Sequence, residues 1–217
     1  MARRLPDLHR RPAHALPRTK FWLFCEGENT EPDYFRALSL AFRGSLIAIE
    51  ADGGIGDPRR IVAAAARKAR DIGISKRRRG SPNSFEDRDS VWAIFDHDDH
   101  AHFDSAVEQC RSRGIKVARS NPCFEVWLIL HVEDYHRPDD SKAVQRHLTN
   151  LCLGYDRRGG KSLDCTQLLE RIEDAERRAE RQLEERAKEG KAFGRPCTTV
   201  FQLTRSIRKA ALDSVRK

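Results

Sequence analysis

The sequence predicts an α/β fold, a mostly parallel sheet flanked by helices, with a C-terminal helical extension. Short apolar runs of strand length alternate with segments of helical period between Phe21 and Ala118, which is the pattern of successive βαβ units. Such units place helices on both faces of a parallel sheet. Beyond Asn121 the strand-like runs give way to longer helical segments.

The first strand is expected over Phe21–Cys25. A helix follows from Glu31 to Phe42, with Tyr34, Phe35, Leu38 and Phe42 at helical spacing. Thr30 is its expected cap, Pro32 is tolerated in the first turn, and Asp33 suits the helix dipole. Leu46–Ile49 is the second strand and the Gly53–Asp57 stretch a loop. Pro58 starts an alanine-rich helix that ends near Ile72. Residues 77–89 are polar and loop-like. Val91–Phe95 is the third strand, Phe103–Cys110 a helix closed by Gly114, and Ile115–Ala118 the fourth strand.

Phe124, Trp127, Leu128 and His131 then form one face of a helix, and 143–153 and 163–190 are helical. The second of these, rich in "ERIEDAERRAERQLEERAKEG", is expected to be solvated, with Leu168, Leu169, Ile172, Ala175 and Ala179 as a thin apolar stripe. A last helix spans 199–215. The predicted organisation is a basic disordered arm (1–19), an α/β core (20–135) and a helical extension packed on the core (136–217).

The 217 residues suffice for one ordinary core, and charged residues make up 34% against 7% aromatic, with a net charge of +8. Much of the basic excess is local. Arg3, Arg4, Arg10, Arg11, Arg18 and Lys20 stand against Asp7 alone within the first 20 residues, broken by Pro6, Pro12 and Pro17. That arm is either a solubilising terminus or a contact for phosphate backbones, and Lys76, Arg77, Arg78 and Arg79 form a second basic run suited to the same use. No stretch approaches a membrane span and the N-terminus lacks a signal-peptide core, so a cytoplasmic protein is expected. The six cysteines show no C-x-x-C spacing and are expected to be reduced.

The strongest chemical signal is "VWAIFDHDDH". On an extended strand end Asp96 and Asp98 point the same way, and two carboxylates held together favour a cation between them. Oxygen ligands suit Mg²⁺ or Mn²⁺. Glu26 ends an independent strand in the equivalent place, so three carboxylates converge if the two strands are neighbours. Two readings compete with this. The acidic pair can cap the next helix, or His97, His100 and His102 can join the carboxylates to hold Zn²⁺ or Mn²⁺, although His97 should point away from Asp96 and Asp98. "GGIGDP" is too isolated to mark a nucleotide cradle, and no G-x-x-x-x-G-K-[ST] occurs.

"CEGENTEPDYF" (25–35), "VWAIFDHDDH" (91–100), "SNPCFEVWLILH" (120–131) and "RPCTTVFQL" (195–203), taken together and in this order, resemble the RloB-like proteins. These carry a Toprim-type catalytic domain and are associated with bacterial restriction and phage-defence loci. The resemblance implies a Toprim-like core, Glu26 as the motif glutamate acting as general acid or base or as a shared ligand, and Asp96 and Asp98 as the Mg²⁺-binding pair. Glu31 falls in the family-like E-G-x-x-T-E pattern as a second ligand, or serves only the helix dipole. Glu125 matches an acidic position of related overcoming-lysogenisation-type nucleases, or else pairs with an arginine, and Lys161 matches their late lysine. An AAA-type ATPase partner is implied by the family context. The expected function is a metal-dependent endonuclease in anti-phage defence, set against a non-catalytic subunit that binds nucleic acid or an ATPase.

Overall fold

The computed structural model describes residues 19–74, 89–97, 102–151, 155 and 165–215. The basic arm through residue 18, the Lys76–Arg79 run, Asp98, His100 and Lys161 lie outside the described residues.

The chain runs β1 (Thr19–Cys25), α1 (Thr30–Ala41), β2 (Ile47–Asp52), α2 (Pro58–Asp71), β3 (Ser90–Asp96), α3 (Phe103–Ser112) and β4 (Lys116–Asn121). It continues with α4 (Glu125–Leu130), α5 (Ser141–Asn150), α6 (Thr166–Leu169), α7 (Ile172–Lys188), β5 (Cys197–Thr198) and α8 (Val200–Val215). The sheet has the order β2-β1-β3-β4-β5, parallel except for β5, which pairs antiparallel with β4. The predicted α/β class and its mostly parallel sheet are thus observed.

Alternation along the strands sorts the core into two halves. Phe21, Leu23, Cys25, Trp92 and Ile94 pack with α1, α4, α7 and α8. Phe24, Val91, Ala93 and Phe95 face α2 and α3. Local chemistry starts the elements where expected at α2, where Asp57 accepts the Arg59 N–H at 2.7 Å and Pro58 occupies the first turn. Arg59 holds the exposed Asp57 carboxyl down to about 2.

Four sequence expectations are corrected. Asn29, not Thr30, is the N-cap of α1, so Thr30 is already helical and buried. Helix α4 is buried all round, because α5 and α7 cover the side away from the sheet. The predicted helix over 163–190 is interrupted among its described residues, with α6 ending at Leu169 and α7 beginning at Ile172. Strand β5 has too few residues to show a period, yet it closes that edge: Thr198 Oγ1 lies 2.9 Å from Ser120 Oγ, and the Thr199 N–H donates to Arg119 O at 2.8 Å.

The charge of α7 is not all solvated. Buried Glu176 accepts Thr204 Oγ1 at 2.9 Å and Arg208 Nη1 at 2.7 Å from α8. Arg178 donates to Leu130 O at 2.8 Å, and Gln182 to Tyr135 O at 2.5 Å, which ties α7 to the end of α4 and the loop beyond it. The apolar stripe Leu168, Ile172, Ala175 and Ala179 is buried as its spacing predicts, with Leu169 partly so.

His131 fastens the same helix to α1. Its Nδ1 is 2.9 Å from Trp127 O, which only accepts, so Nδ1 carries the hydrogen and Nε2 accepts the Tyr34 hydroxyl at 3.1 Å. Full burial pushes the imidazole down to about 4. An unfolded histidine binds its proton near pH 6.5, so the unfolded chain takes up more protons as pH falls from about 6.5 to 4 and stability drops. The expected loss on acidification is on the order of 3 kcal/mol from this residue. Denaturant melts of wild type and His131→Gln at pH 7 and pH 4.5 check it: the wild type should lose distinctly more stability than the variant over that interval.

Candidate active site

Parallel pairing puts the C-terminal ends of β1 and β3 side by side, with Cys25 opposite Ile94. The next residue of β1 therefore reaches the last of β3, and the Asp96 N–H donates to Glu26 Oε2 at 3.2 Å. The strands that the sequence left as conditional neighbours are neighbours, and Glu26 meets Asp96.

Glu31 comes to the same place from α1. Its carboxylate is 3% exposed, and its Oε1 accepts the Gly27 N–H at 2.9 Å. The side chain is turned inward rather than toward solvent, which corrects the reading of Glu31 as serving only the dipole. A Cβ on Gly27 would lie 2.2 Å from Glu31 Oε2, so any side chain there would displace the carboxylate from its present position. Glu28 is exposed, and Asp33 pairs with Arg36 at 2.7 Å.

The glycine-rich loop after β2 props this turn. The Gly54 N–H donates to Gly27 O at 2.8 Å and the Gly56 N–H to Glu26 O at 3.2 Å. A Cβ on Gly53 would come within 2.4 Å of Pro32 Cγ. "GGIG" is a backbone brace for the Glu26 turn.

Glu125 opens α4 at 3% exposure. Its partner is Tyr155, whose hydroxyl donates to Oε1 at 2.6 Å, and among the described residues no arginine pairs with it. Tyr155 is a contact the sequence did not signal, because no spacing links position 155 to position 125. Its hydroxyl pKa is raised by burial and by Glu125.

The electrostatics report the crowding. Burial, then the charges of Glu125 and Glu26, push the Glu31 carboxyl up to about 7 against the pull of backbone hydrogen bonds from Gly27 and Glu31 itself. The Cys25 thiol is raised by burial, Glu31, Asp52 and Asp96, and the Cys123 thiol by burial, Glu125 and Asp96. Glu26, Glu31, Asp96 and Glu125 thus share one field, with no lysine or arginine of the described residues paired to Glu31 or Glu125.

Among the described residues no three His, Cys, Asp or Glu side chains close into a ready cation cage. The donor set nonetheless fits a hard divalent cation: all oxygen, mutually repelling, and partly desolvated. A histidine site fits less well. The His97 ring lies edge-on to Phe103, 4.4 Å between centroids, on the α3 side of the sheet, and His102 is exposed ahead of α3. A cleft of about 520 Å³ lined by Asp52, Ile55, Arg60, Arg67 and Lys68 opens on the α2 side, apart from Glu31 and Glu125.

The family model that matches the chain is described as RloB-like protein and covers residues 21–207. No curated protein matches, and no solved structure matches.

Two outcomes follow from the buried carboxylate. Glu31 holds its proton up to about pH 7 when folded and only to about 4.5 when unfolded, so its contribution favours folding at low pH and is lost as pH rises through 7. In EDTA, Glu31→Gln should therefore melt higher than wild type at pH 8, by an amount on the order of 3 kcal/mol, with the gap closing toward pH 5. Gly27→Ala should melt several degrees lower than wild type at either pH, because the new methyl group collides with Glu31. Paired thermal scans at the two pH values read both.

Proposed function

The chain belongs to the RloB-like family, and on that premise we propose that it is a metal-dependent nucleic-acid endonuclease acting in bacterial anti-phage defence. The observation that carries the reading is the Asp96 N–H to Glu26 contact, 3.2 Å, at the C-terminal edge of the sheet with Glu31 and Glu125 behind it. Ligands of parallel sheets collect at that edge.

Asp96 and Asp98 would hold Mg²⁺ or Mn²⁺, with Glu26, Glu31 and Glu125 as the further oxygen donors. When bound, the cation supplies positive charge for the phosphodiester and for the oxygen that leaves it. Glu26, held by the Asp96 N–H, takes a proton from the attacking water as that oxygen bonds to phosphorus. The opposite P–O bond breaks, and its oxygen leaves with a proton from solvent. Gly27 lets the backbone pass beneath Glu31.

Lys76, Arg77, Arg78, Arg79 and Lys161 are the proposed backbone contacts for DNA or RNA, which would make affinity salt-dependent and largely independent of sequence. An AAA-type ATPase is the proposed partner in the cell.

The test is direct. Wild type should nick plasmid DNA or cut total RNA in Mn²⁺, and Asp96→Asn, Asp98→Asn or Glu26→Gln should each lower the rate by about 100-fold or more. Calorimetry should register divalent-ion uptake by wild type and its loss in Asp96→Asn. Cutting that survives both aspartate changes would sink the assignment. Metal uptake without cutting of either substrate would favour the non-catalytic subunit. Phage plating on cells that express wild type or Asp96→Asn reads the defence role.

A further inference from the structure

The edge of the sheet that carries Asp96 also carries a cation that neither the core nor the carboxylate cluster uses. Arg119 lies on β4 as the register partner of Phe95, the residue before Asp96. Its backbone is held by the last strand connection: its N–H donates to Thr199 Oγ1 at 2.9 Å, and its carbonyl accepts the Thr199 N–H at 2.8 Å. The side chain therefore starts from a fixed point.

The guanidinium is fixed as well, but by aromatic rings rather than by acids. Its carbon lies 3.1 Å from the centroid of Phe193 and 6.0 Å from that of Phe103. Phe193 takes a left-handed backbone conformation, φ 65°, which a bulky residue rarely adopts, and its carbonyl accepts Asn121 Nδ2 at 2.7 Å. Among the described residues no carboxylate pairs with Arg119. The arginines of α7 and α8 are different: Arg177, Arg181, Arg205 and Arg208 all have acidic partners. Arg119 is half-buried, with one face covered by Phe193.

A guanidinium stacked in this way loses little freedom on gripping an oxyanion with two parallel N–H bonds. Its position relates it to the end of β3, which it approaches from the α3 face of the sheet, the face of its register partner Phe95. The Phe103 ring that faces Arg119 also contacts His97, 4.4 Å away, and His97 directly follows Asp96. One aromatic ring separates the cation from the end of the acidic strand.

We propose that Arg119, stacked on Phe193, binds a phosphodiester of the nucleic-acid strand at the Asp96 end of the sheet and so positions that strand for cleavage. The proposal rests on the endonuclease reading and names one point of its substrate path. Arg119 is a positioning residue here, since it acts on a phosphate next to the one cut.

The experiment measures binding apart from cutting. Fluorescence anisotropy with labelled single-stranded DNA and RNA oligonucleotides of mixed sequence is run on the full chain in EDTA, over a range of salt. Arg119→Met should weaken binding about 10-fold and reduce the slope of log affinity against log salt by about one. Arg119→Lys should keep the slope and lose part of the affinity. Phe193→Leu, which keeps the cation and removes the stack, should fall between wild type and Arg119→Met, and it carries the test if Arg119→Met fails to fold. Equal affinity and equal slope in folded Arg119→Met and wild type would mean that the guanidinium only pins the Phe193 loop, and the proposal falls. If that variant binds normally while Asp96→Asn abolishes cutting, the endonuclease reading stands without it. If wild type binds neither oligonucleotide, the proposal is overturned.

Discussion

The hydrogen bond from the Asp96 N–H to the Glu26 carboxylate exists because β1 and β3 are neighbours at the centre of the sheet. Seventy residues separate the two positions in sequence, and only parallel pairing brings the ends of both strands to one edge. Everything at the site is arranged around that edge. Glu31 arrives from the helix that follows β1, and Glu125 from the helix that follows β4. Each is buried, and each has a hydrogen-bond donor as its partner, a backbone N–H from Gly27 or a hydroxyl from Tyr155. Donors of this kind orient a carboxylate without cancelling its charge. Both carboxylates are thus oriented, and among the described residues neither is paired with a lysine or arginine.

The C-terminal segment makes this arrangement permanent. A six-residue helix such as α4 has little stability of its own. It persists because α5 and α7 cover the side that the sheet does not, and because Arg178 satisfies the Leu130 carbonyl at its end. Helix α7 is in turn anchored on α8 through Glu176, a buried acid with Thr204 and Arg208 as partners. Removing one arginine from such a buried pair leaves the other charge uncompensated, so these ions specify the docking of the two helices more than they add net stability. The tether runs from Glu176 through α7 to α4, and so to Glu125.

The fold class could be read from the sequence because apolar runs and helical spacing alternate without interruption from Phe21 to Ala118. Glu26 and Asp96 could be read too, since each ends a recognisable strand. Other features were hidden for physical reasons. Two residues of β5 are too few to show a period, and its pairing depends on β4. The burial of α4 on all sides depends on α7, whose acidic and basic residues look solvated until Glu176 and Arg178 are seen to face partners. Glu31 resembles any first-turn acid in sequence. Its inward turn depends on the missing side chain of Gly27 and on the Gly54 N–H that holds the Gly27 carbonyl. That loop carries a glycine pattern which in another setting would cradle a phosphate, and here it shapes the Glu26 turn.

Two groups of buried acids on the same side of the sheet are held in opposite ways. Around Glu176 the acids are paired: Arg208 bridges it to Glu173, and Arg205 pairs with Glu180. At Glu31, burial and the charges of Glu125 and Glu26 raise the carboxyl to about 7, so at neutral pH the cluster is close to taking up a proton. A bound cation would replace that proton and relieve the repulsion, and its binding energy would add to folding stability by linkage. On the proposed reading, the burial and like-charge repulsion that raise the Glu31 carboxyl would also favour a divalent ion there. A fold that needed the ion to assemble would be at risk whenever the ion was scarce. Here the sheet, the glycine brace and the Glu176 tether hold Glu26, Glu31 and Glu125 at one end of the sheet through protein contacts alone.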